Sequence, residues 1–135
     1  MAIAGARLGF RPVLGLDHEL ESIAAARQNA AANAAEIDVR RFDLRADTLP
    51  WIESAPPSMG AQVVVANLLR PLLIELAAAM PAAPAHLLAG GLLTGEVDEV
   101  SRVFGERLQL HERERRESEG WAAVWLSRRR SAAIR

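Results

Sequence analysis

Gln62-Val63-Val64-Val65-Ala66-Asn67 decides the fold class. Three consecutive β-branched residues followed by alanine make a strand that is apolar on both faces. Strands of that kind belong in the middle of a parallel sheet, where helices cover both sides. Working outward, residues 71–80 read as a helix with Pro71 in its first turn, broken by Pro81 and Pro84. His86-Leu87-Leu88-Ala89-Gly90-Gly91-Leu92-Leu93 is a second buried strand, and Glu96 to Phe104 a further helix. Upstream, Met1 to Gly9 reads as the tail of a helix, with Ile3, Ala4 and Leu8 on one face and Gly9 as its stop. Pro12 to Leu16 is a short buried strand closed by Asp17. From His18 to about Asn33 the pattern is helical, with Leu20, Ile23, Ala24 and Ala31 on one face. Glu36 to Phe42 alternates as a strand through Ile37, Val39 and, less firmly, Arg41. A loop carrying Pro50, Pro56, Pro57 and Gly60 follows from Leu44 to Gly60. At the end, Arg107 to Arg116 and Trp121 to Arg128 flank Ser118-Glu119-Gly120 as a hairpin.

Strands alternating with helices imply an α/β fold. The expected architecture is a Rossmann-like, doubly wound, mostly parallel sheet with a C-terminal antiparallel hairpin. The 135 residues suit a single domain over 1–135. Half of them are hydrophobic, too many for a disordered chain. No apolar run is long enough to span a bilayer, and no basic residues precede the apolar start as in a signal peptide. A soluble, cytoplasmic protein is expected.

With no cysteine there is no disulfide, zinc ribbon or thiol nucleophile, and three scattered histidines give no metal site. A net charge of −1 lacks the basic surplus of a nucleic-acid binder. All 16 basic residues are arginine and alanine is abundant, which reads as compositional bias. The interleaved Arg/Glu run at 111–117 reads as a solvated edge strand. Arg128-Arg129-Arg130 with Arg135 reads as a frayed basic tail. Trp121 and Trp125, an even number of residues apart on one strand face, read as core.

In doubly wound sheets ligands bind at the carboxyl ends of strands. The residues closing the strands are Asp17, Asp43, Asn67 and the Gly90-Gly91 pair. A carboxylate in the place of Asp17 can hold ribose hydroxyls or cap the following helix, and the two roles are compatible. Asp43 reads as a turn residue or a ligand contact. Asn67 ends an apolar strand, where an amide needs a partner. It either bonds the backbone ahead of Pro71 or serves a site.

The segment Val63-Val64-Val65-Ala66-Asn67-Leu68-Leu69-Arg70-Pro71-Leu72 resembles the "V-V-A-N-I-L-x-x-P-L" stretch of the PrmA family. These are class I S-adenosylmethionine-dependent methyltransferases that modify the eleventh protein of the large ribosomal subunit. Ala2 to Gly9, Val13 to Asp17 and Ala26 to Asn33 follow that family's order. Leu88 to Leu93, Asp98-Glu99-Val100 and Gly120 to Trp125 match its later elements. The resemblance implies that Asp17 holds the ribose of S-adenosylmethionine. Asp43 would sit beside the adenine amino group, with Phe42 or Leu44 against the ring. Asn67 would line the place where the acceptor amine meets the methyl group, with Leu68 and Leu69 at the substrate entrance. The implied partner is a ribosomal protein.

The family's first strand, its glycine-rich loop and its N-terminal domain have no counterpart here, and the chain starts inside the helix that follows the loop. The missing strand is the central one, between those at 12–16 and 62–66. Without it either those two strands pair directly or unmatched edges remain, so self-association through exposed sheet edges is expected. Two other readings stand beside this one. One is a non-enzymatic remnant or interaction domain that no longer binds cofactor; the other, a nicotinamide-binding oxidoreductase, shares Asp17 but leaves the Asn67 stretch without a role.

Overall fold

The computed structural model describes residues 1–51 and 62–128. Pro56, Pro57 and Gly60 of the expected loop, and Arg129, Arg130 and Arg135 of the basic tail, lie outside the described residues. The chain forms two compact units, Met1–Asp47 and Thr48–Arg135.

The first unit contains α1 (Ala2–Arg7), β1 (Leu14–Asp17), α2 (Leu20–Ala32) and β2 (Asp38–Arg41). Gly9 takes a φ of 91° just past α1, a backbone state that costs glycine little. β1 and β2 pair in parallel, with Asp17 opposite Arg41. Parallel neighbours need a crossover, and α2 supplies it. The second strand is shorter than its alternation implies, and Glu36, Ile37 and Phe42 fall outside it. Arg41 does not share the buried face with Val39; it is exposed, and its Nε donates to the His18 carbonyl at 3.3 Å.

The inner stripe of α2 also differs from expectation. Ile23 and Ala30 are buried, whereas Leu20, Ala24 and Ala31 are exposed. Alanine occurs all round this helix and carries little directional signal, so periodicity could not choose the face. One tie that does set the face is the Arg27 guanidinium, which donates to the Val39 carbonyl at 2.8 Å and holds α2 against β2.

The second unit contains β3 (Val63–Asn67), α3 (Arg70–Ala79), β4 (His86–Leu93), a 3₁₀ turn (Thr94–Glu96), α4 (Val97–Leu108), β5 (Leu110–Ser118) and β6 (Trp121–Arg128). The sheet order is β3-β4-β6-β5, with β3 parallel to β4 and the hairpin antiparallel. Arg107 belongs to α4, so the hairpin starts at Leu110, after Gln109 ends the helix in the left-handed region at φ 54°. Glu119 and Gly120 both have positive φ, as a tight two-residue hairpin turn requires. Helices α3 and α4 cover one face, burying Leu73, Leu76, Val100 and Phe104 with Leu87, Leu92, Val124 and Leu126 of the strands.

The other sheet face of this unit carries the two tryptophans. Trp125 is 37% exposed and Trp121 53% exposed, so neither is core. Strand parity put them together correctly but could not say on which face. The buried face belongs to Ala122, Val124 and Leu126, whose neighbours across the sheet lie under the helices. Trp125 has a partner nonetheless: its indole N–H donates to His86 Nδ1 at 3.2 Å.

Val65 is exposed and β3 has β4 as its one strand neighbour among the described residues, so β3 is an outer strand of this sheet, not a central one. The opposite edge, β5, is the charged strand foreseen: Arg115 bonds both Glu112 and Asp98, and Arg116 bonds Glu114. Such charges discourage further pairing, and β3 has none of them.

Beside Asn67, β4 bulges between Ala89 and Leu92, with Gly91 at φ 79°. A Cβ on Gly91 would lie 2.8 Å from the Leu68 carbonyl oxygen and 3.0 Å from Asn67 Oδ1. Gly91→Ala should therefore destabilise the chain by about 1–2 kcal/mol in urea unfolding, from backbone strain alone or more with the clash. Gly95→Ala, where nothing lies within 4 Å of the added carbon, is the control and should change little.

The β5 edge makes a pH prediction. The hydrogen bond from Arg115 holds the Glu112 carboxyl below its ordinary value of 4.5. A carboxyl depressed on folding stabilises above its unfolded value, and the gain is lost as pH falls through the folded value. The wild type should lose more stability between pH 6 and pH 3 than Arg115→Gln, by less than about 1 kcal/mol for this partly exposed pair. Equal losses in the two proteins would show that the pair contributes nothing.

Candidate functional site

At the carboxyl edge of β1 and β2, backbone pairing carries past the strands: the Phe42 N–H donates to the Asp17 carbonyl at 2.8 Å. That bond brings Asp17, Phe42 and Asp43 together in the first unit. Asp17 Oδ1 accepts the Glu19 N–H at 2.9 Å, two residues on, and α2 then begins at Leu20 with Glu19 in the cap position. The carboxylate thus shapes the approach to the helix without being its formal N-cap. One oxygen does this work, and Oδ2 has no hydrogen bond within the described residues. Asp43 is built alike: Oδ1 accepts the Arg45 N–H at 2.9 Å, while its own N–H donates to Asp47 Oδ2 at 2.8 Å. Phe42 is half-buried beside them. The expected turn role of Asp43 is present, and among the described residues its Oδ2, like that of Asp17, has no hydrogen bond.

The second unit holds Asn67, Leu68 and Leu69. Parallel pairing sets Asn67 opposite Gly90, and the Leu68 N–H donates to the Gly90 carbonyl at 3.2 Å. The turn into α3 is clamped from the other side by Arg70, whose guanidinium meets Glu99 at 2.7 Å and Glu96 at 3.5 Å. Asn67 itself is exposed, and among the described residues nothing hydrogen-bonds its carboxamide. The alternative in which Asn67 bonds the backbone ahead of Pro71 is therefore not realised. A strand-end amide held in place by its backbone and free at its side chain is available to a ligand.

Asn67, Leu68, Leu69, Gly91 and Trp121 line a depression of about 490 Å³. Trp121 was expected in the core, and Gly91 only as part of a strand end. The tryptophan's even spacing from Trp125 reads as a core signal, and only the bulge of β4 and the start of β6 bring it to Asn67. The glycine pair was noticed as a strand end, but it lies within β4, where its missing side chain makes room for the Asn67 amide. Leu69 is 63% exposed, as an entrance residue should be. Among the described residues no group of His, Asp and Glu could hold a metal ion, and no helix is long and apolar enough to cross a membrane.

Comparison with known proteins gives one answer at family level. The family model described as ribosomal protein L11 methyltransferase (PrmA) matches residues 1–129. The ribosomal protein L11 methyltransferase of Pectobacterium carotovorum is 33% identical over 134 residues, covering 97% of this chain and 42% of that protein. Its counterpart from Burkholderia cenocepacia is 28% identical over 134 residues, covering 97% and 40%. The chain thus spans about two fifths of the length of these relatives. Among solved structures, the ribosomal protein L11 methylase of Lactobacillus delbrueckii superposes with a TM-score of 0.75 at 23% identity, over 96% of this chain and 64% of that one. The 16S rRNA methyltransferase RmtF, solved with S-adenosyl-L-homocysteine, gives 0.62 at 20% identity, over 94% and 52%. These likenesses confirm the mixed α/β fold of class I methyltransferases, with parallel strands followed by the antiparallel hairpin. The chain belongs to the ribosomal protein L11 methyltransferase (PrmA) family.

Proposed function

We propose that this chain is part of an S-adenosylmethionine-dependent methyltransferase catalytic domain that transfers a methyl group to an amine of a ribosomal protein in the cytoplasm. The family match runs through both compact units, which supports reading residues 1–135 as one catalytic domain. The observation that carries the proposal is the Asn67 carboxamide, without a hydrogen-bond partner among the described residues and beside the glycine bulge at the carboxyl end of β3.

The donor set fits the cofactor. Among the described residues Asp17 and Asp43 each have one carboxylate oxygen without a hydrogen bond, which suits a ribose diol and an adenine amino group, the two donors assigned to them. Phe42, half-buried between them in sequence, offers an apolar face to the adenine ring. Bound cofactor supplies an electrophilic methyl group on a sulfonium, so the protein's task is alignment and exclusion of water more than activation. An acceptor amine must arrive neutral, and the Asn67 carbonyl oxygen can accept one of its N–H bonds and so direct its lone pair. The backbone of Leu68 and the Arg70 clamp keep that amide in place. Leu68 and Leu69 form the entrance.

Isothermal titration with S-adenosylhomocysteine tests the cofactor role, with NAD as the comparison. Binding of the first and not the second is expected. Asp17→Ala should weaken it at least about tenfold, the loss of a charge-assisted hydrogen bond. Undiminished affinity would remove Asp17 from the ribose. Binding of neither ligand would favour the interaction-domain reading, for which the edge of β3, without a strand partner in its sheet among the described residues, is the supporting observation.

In the protein carrying this domain, Asn67→Ala should lower kcat by about a hundredfold, as misorientation of a reacting group does, and leave S-adenosylhomocysteine affinity within about twofold. Unchanged turnover with a radiolabelled methyl donor and the ribosomal acceptor would rule out the orienting role.

A further inference from the structure

Among the described residues β3 has a strand on one side only, and its sequence carries none of the devices that close a sheet edge. Val63-Val64-Val65-Ala66-Asn67 holds no charge and no proline, and Val65 is 46% exposed. Which backbone groups face outward follows from the ladder. The His86 N–H donates to the Gln62 carbonyl at 3.2 Å, and the Leu68 N–H to the Gly90 carbonyl at the same distance, so the even-numbered residues bond β4. The residues between them turn their N–H and C=O to the other side. Val63, Val65 and Asn67 thus present three donors and three acceptors at the outer edge, and among the described residues no hydrogen bond reaches them. Such a row is a template for a further strand.

We propose that the occupant of this edge is a second copy of the chain, with the two β3 strands paired antiparallel about a two-fold axis at Val65. The row is complementary to itself, and one antiparallel register pairs all of its groups. In that register Val65 faces the second copy's Val65, while Val63 and Asn67 face its Asn67 and Val63. Each facing pair exchanges two N–H···O bonds. These bonds use the backbone of Asn67 and not its carboxamide, so the inference stands independently of the methyl-transfer reading. Side chains match as well. Val65, Leu88 and Trp125 form one exposed row across β3, β4 and β6, and the axis doubles it by setting the β-branched valines against each other. The joined sheet then ends on both sides at β5, where the Arg115 pairs with Glu112 and Asp98 and the Arg116 pair with Glu114 discourage another strand. The assembly therefore closes at two copies. A net charge of −1 puts little repulsion between them.

Sedimentation velocity of the whole 135-residue chain should show a concentration-dependent monomer–dimer equilibrium with no larger species. Val65→Lys and Val65→Glu each set like charges directly opposite across the axis, and each should raise the dimer Kd at least about tenfold. Mixing the two variants in equal amounts sets opposite charges there and should restore a dimer containing one copy of each. A chain that stays monomeric up to about 1 mM overturns the proposal, as does an assembly that grows past two copies. A dimer that both single variants leave intact, or a mixture of folded variants that fails to restore one, places the contact elsewhere and overturns it too. Hydrogen exchange of the unsubstituted chain reads the same edge and decides the matter where a variant fails to fold. The amides of Val63, Val65 and Asn67 should exchange more slowly as the chain is concentrated, while those of Val64 and Ala66, already bonded to β4, should not change. Exchange at Val63, Val65 and Asn67 that is independent of concentration overturns the proposal.

Discussion

The parallel pairing of β3 with β4 is the contact on which the second unit depends. Parallel strands cannot be joined by a hairpin, so α3 has to cross over between them, and both strands then finish at the same edge. That edge puts Asn67 against Gly90 and Leu68 against the Gly90 carbonyl. The backbones come so close there that a side chain on Gly91 has no room, and the bulge in β4 follows from the same crowding. Register, glycine and amide form one arrangement. Losing any of them would move the others.

The same logic operates in the first unit on a smaller scale. Parallel β1 and β2, bridged by α2, finish together, and the Asp17–Phe42 backbone bond extends the pairing one step beyond the strands. Two carboxylates come to lie at that edge, each with one oxygen used on a local turn. The turn bonds fix the carboxyl groups at little cost in mobility and leave a second acceptor for a ligand. Shaping the start of α2 and holding a ligand, compatible roles for Asp17 already at the level of sequence, would use different oxygens.

The two sheet edges of the second unit are treated differently by the chain. β5 carries ion pairs along its length, while β3 is apolar and, among the described residues, has β4 as its one strand neighbour in this sheet. Physical chemistry expects charge where a sheet is meant to stop and its absence where another strand belongs. The exposed apolar side chains of Val65, Leu88 and Trp125, in register across three strands, extend the same contrast to a face. The opposite face, beneath α3 and α4, holds the buried core.

Much of this was legible in the amino-acid order because it rests on local signals. The β-branched run at 63–65, the prolines at 71, 81 and 84, the glycines at 9 and 120 and the charged run at 111–117 each act within a few residues, and each element appeared where those signals put it. Asp17, Asp43 and Asn67 were legible as strand ends, the places where a parallel sheet binds ligands, and Phe42 only through the family resemblance. What lay beyond the sequence was whichever choice depended on distant partners. The face of α2 could not be read from an alanine-rich helix, and Leu20 proved exposed. The face of the tryptophans could not be read from a period of two, which relates Trp121 to Trp125 without saying which side the helices cover. The outer position of β3 could not be read from its own residues, because strand order is a property of pairing. The sequence by itself determined the elements and the chemistry at their ends; tertiary structure decided which faces are buried and set Trp121 beside Asn67, because burial and register are settled by contacts between segments far apart in the chain.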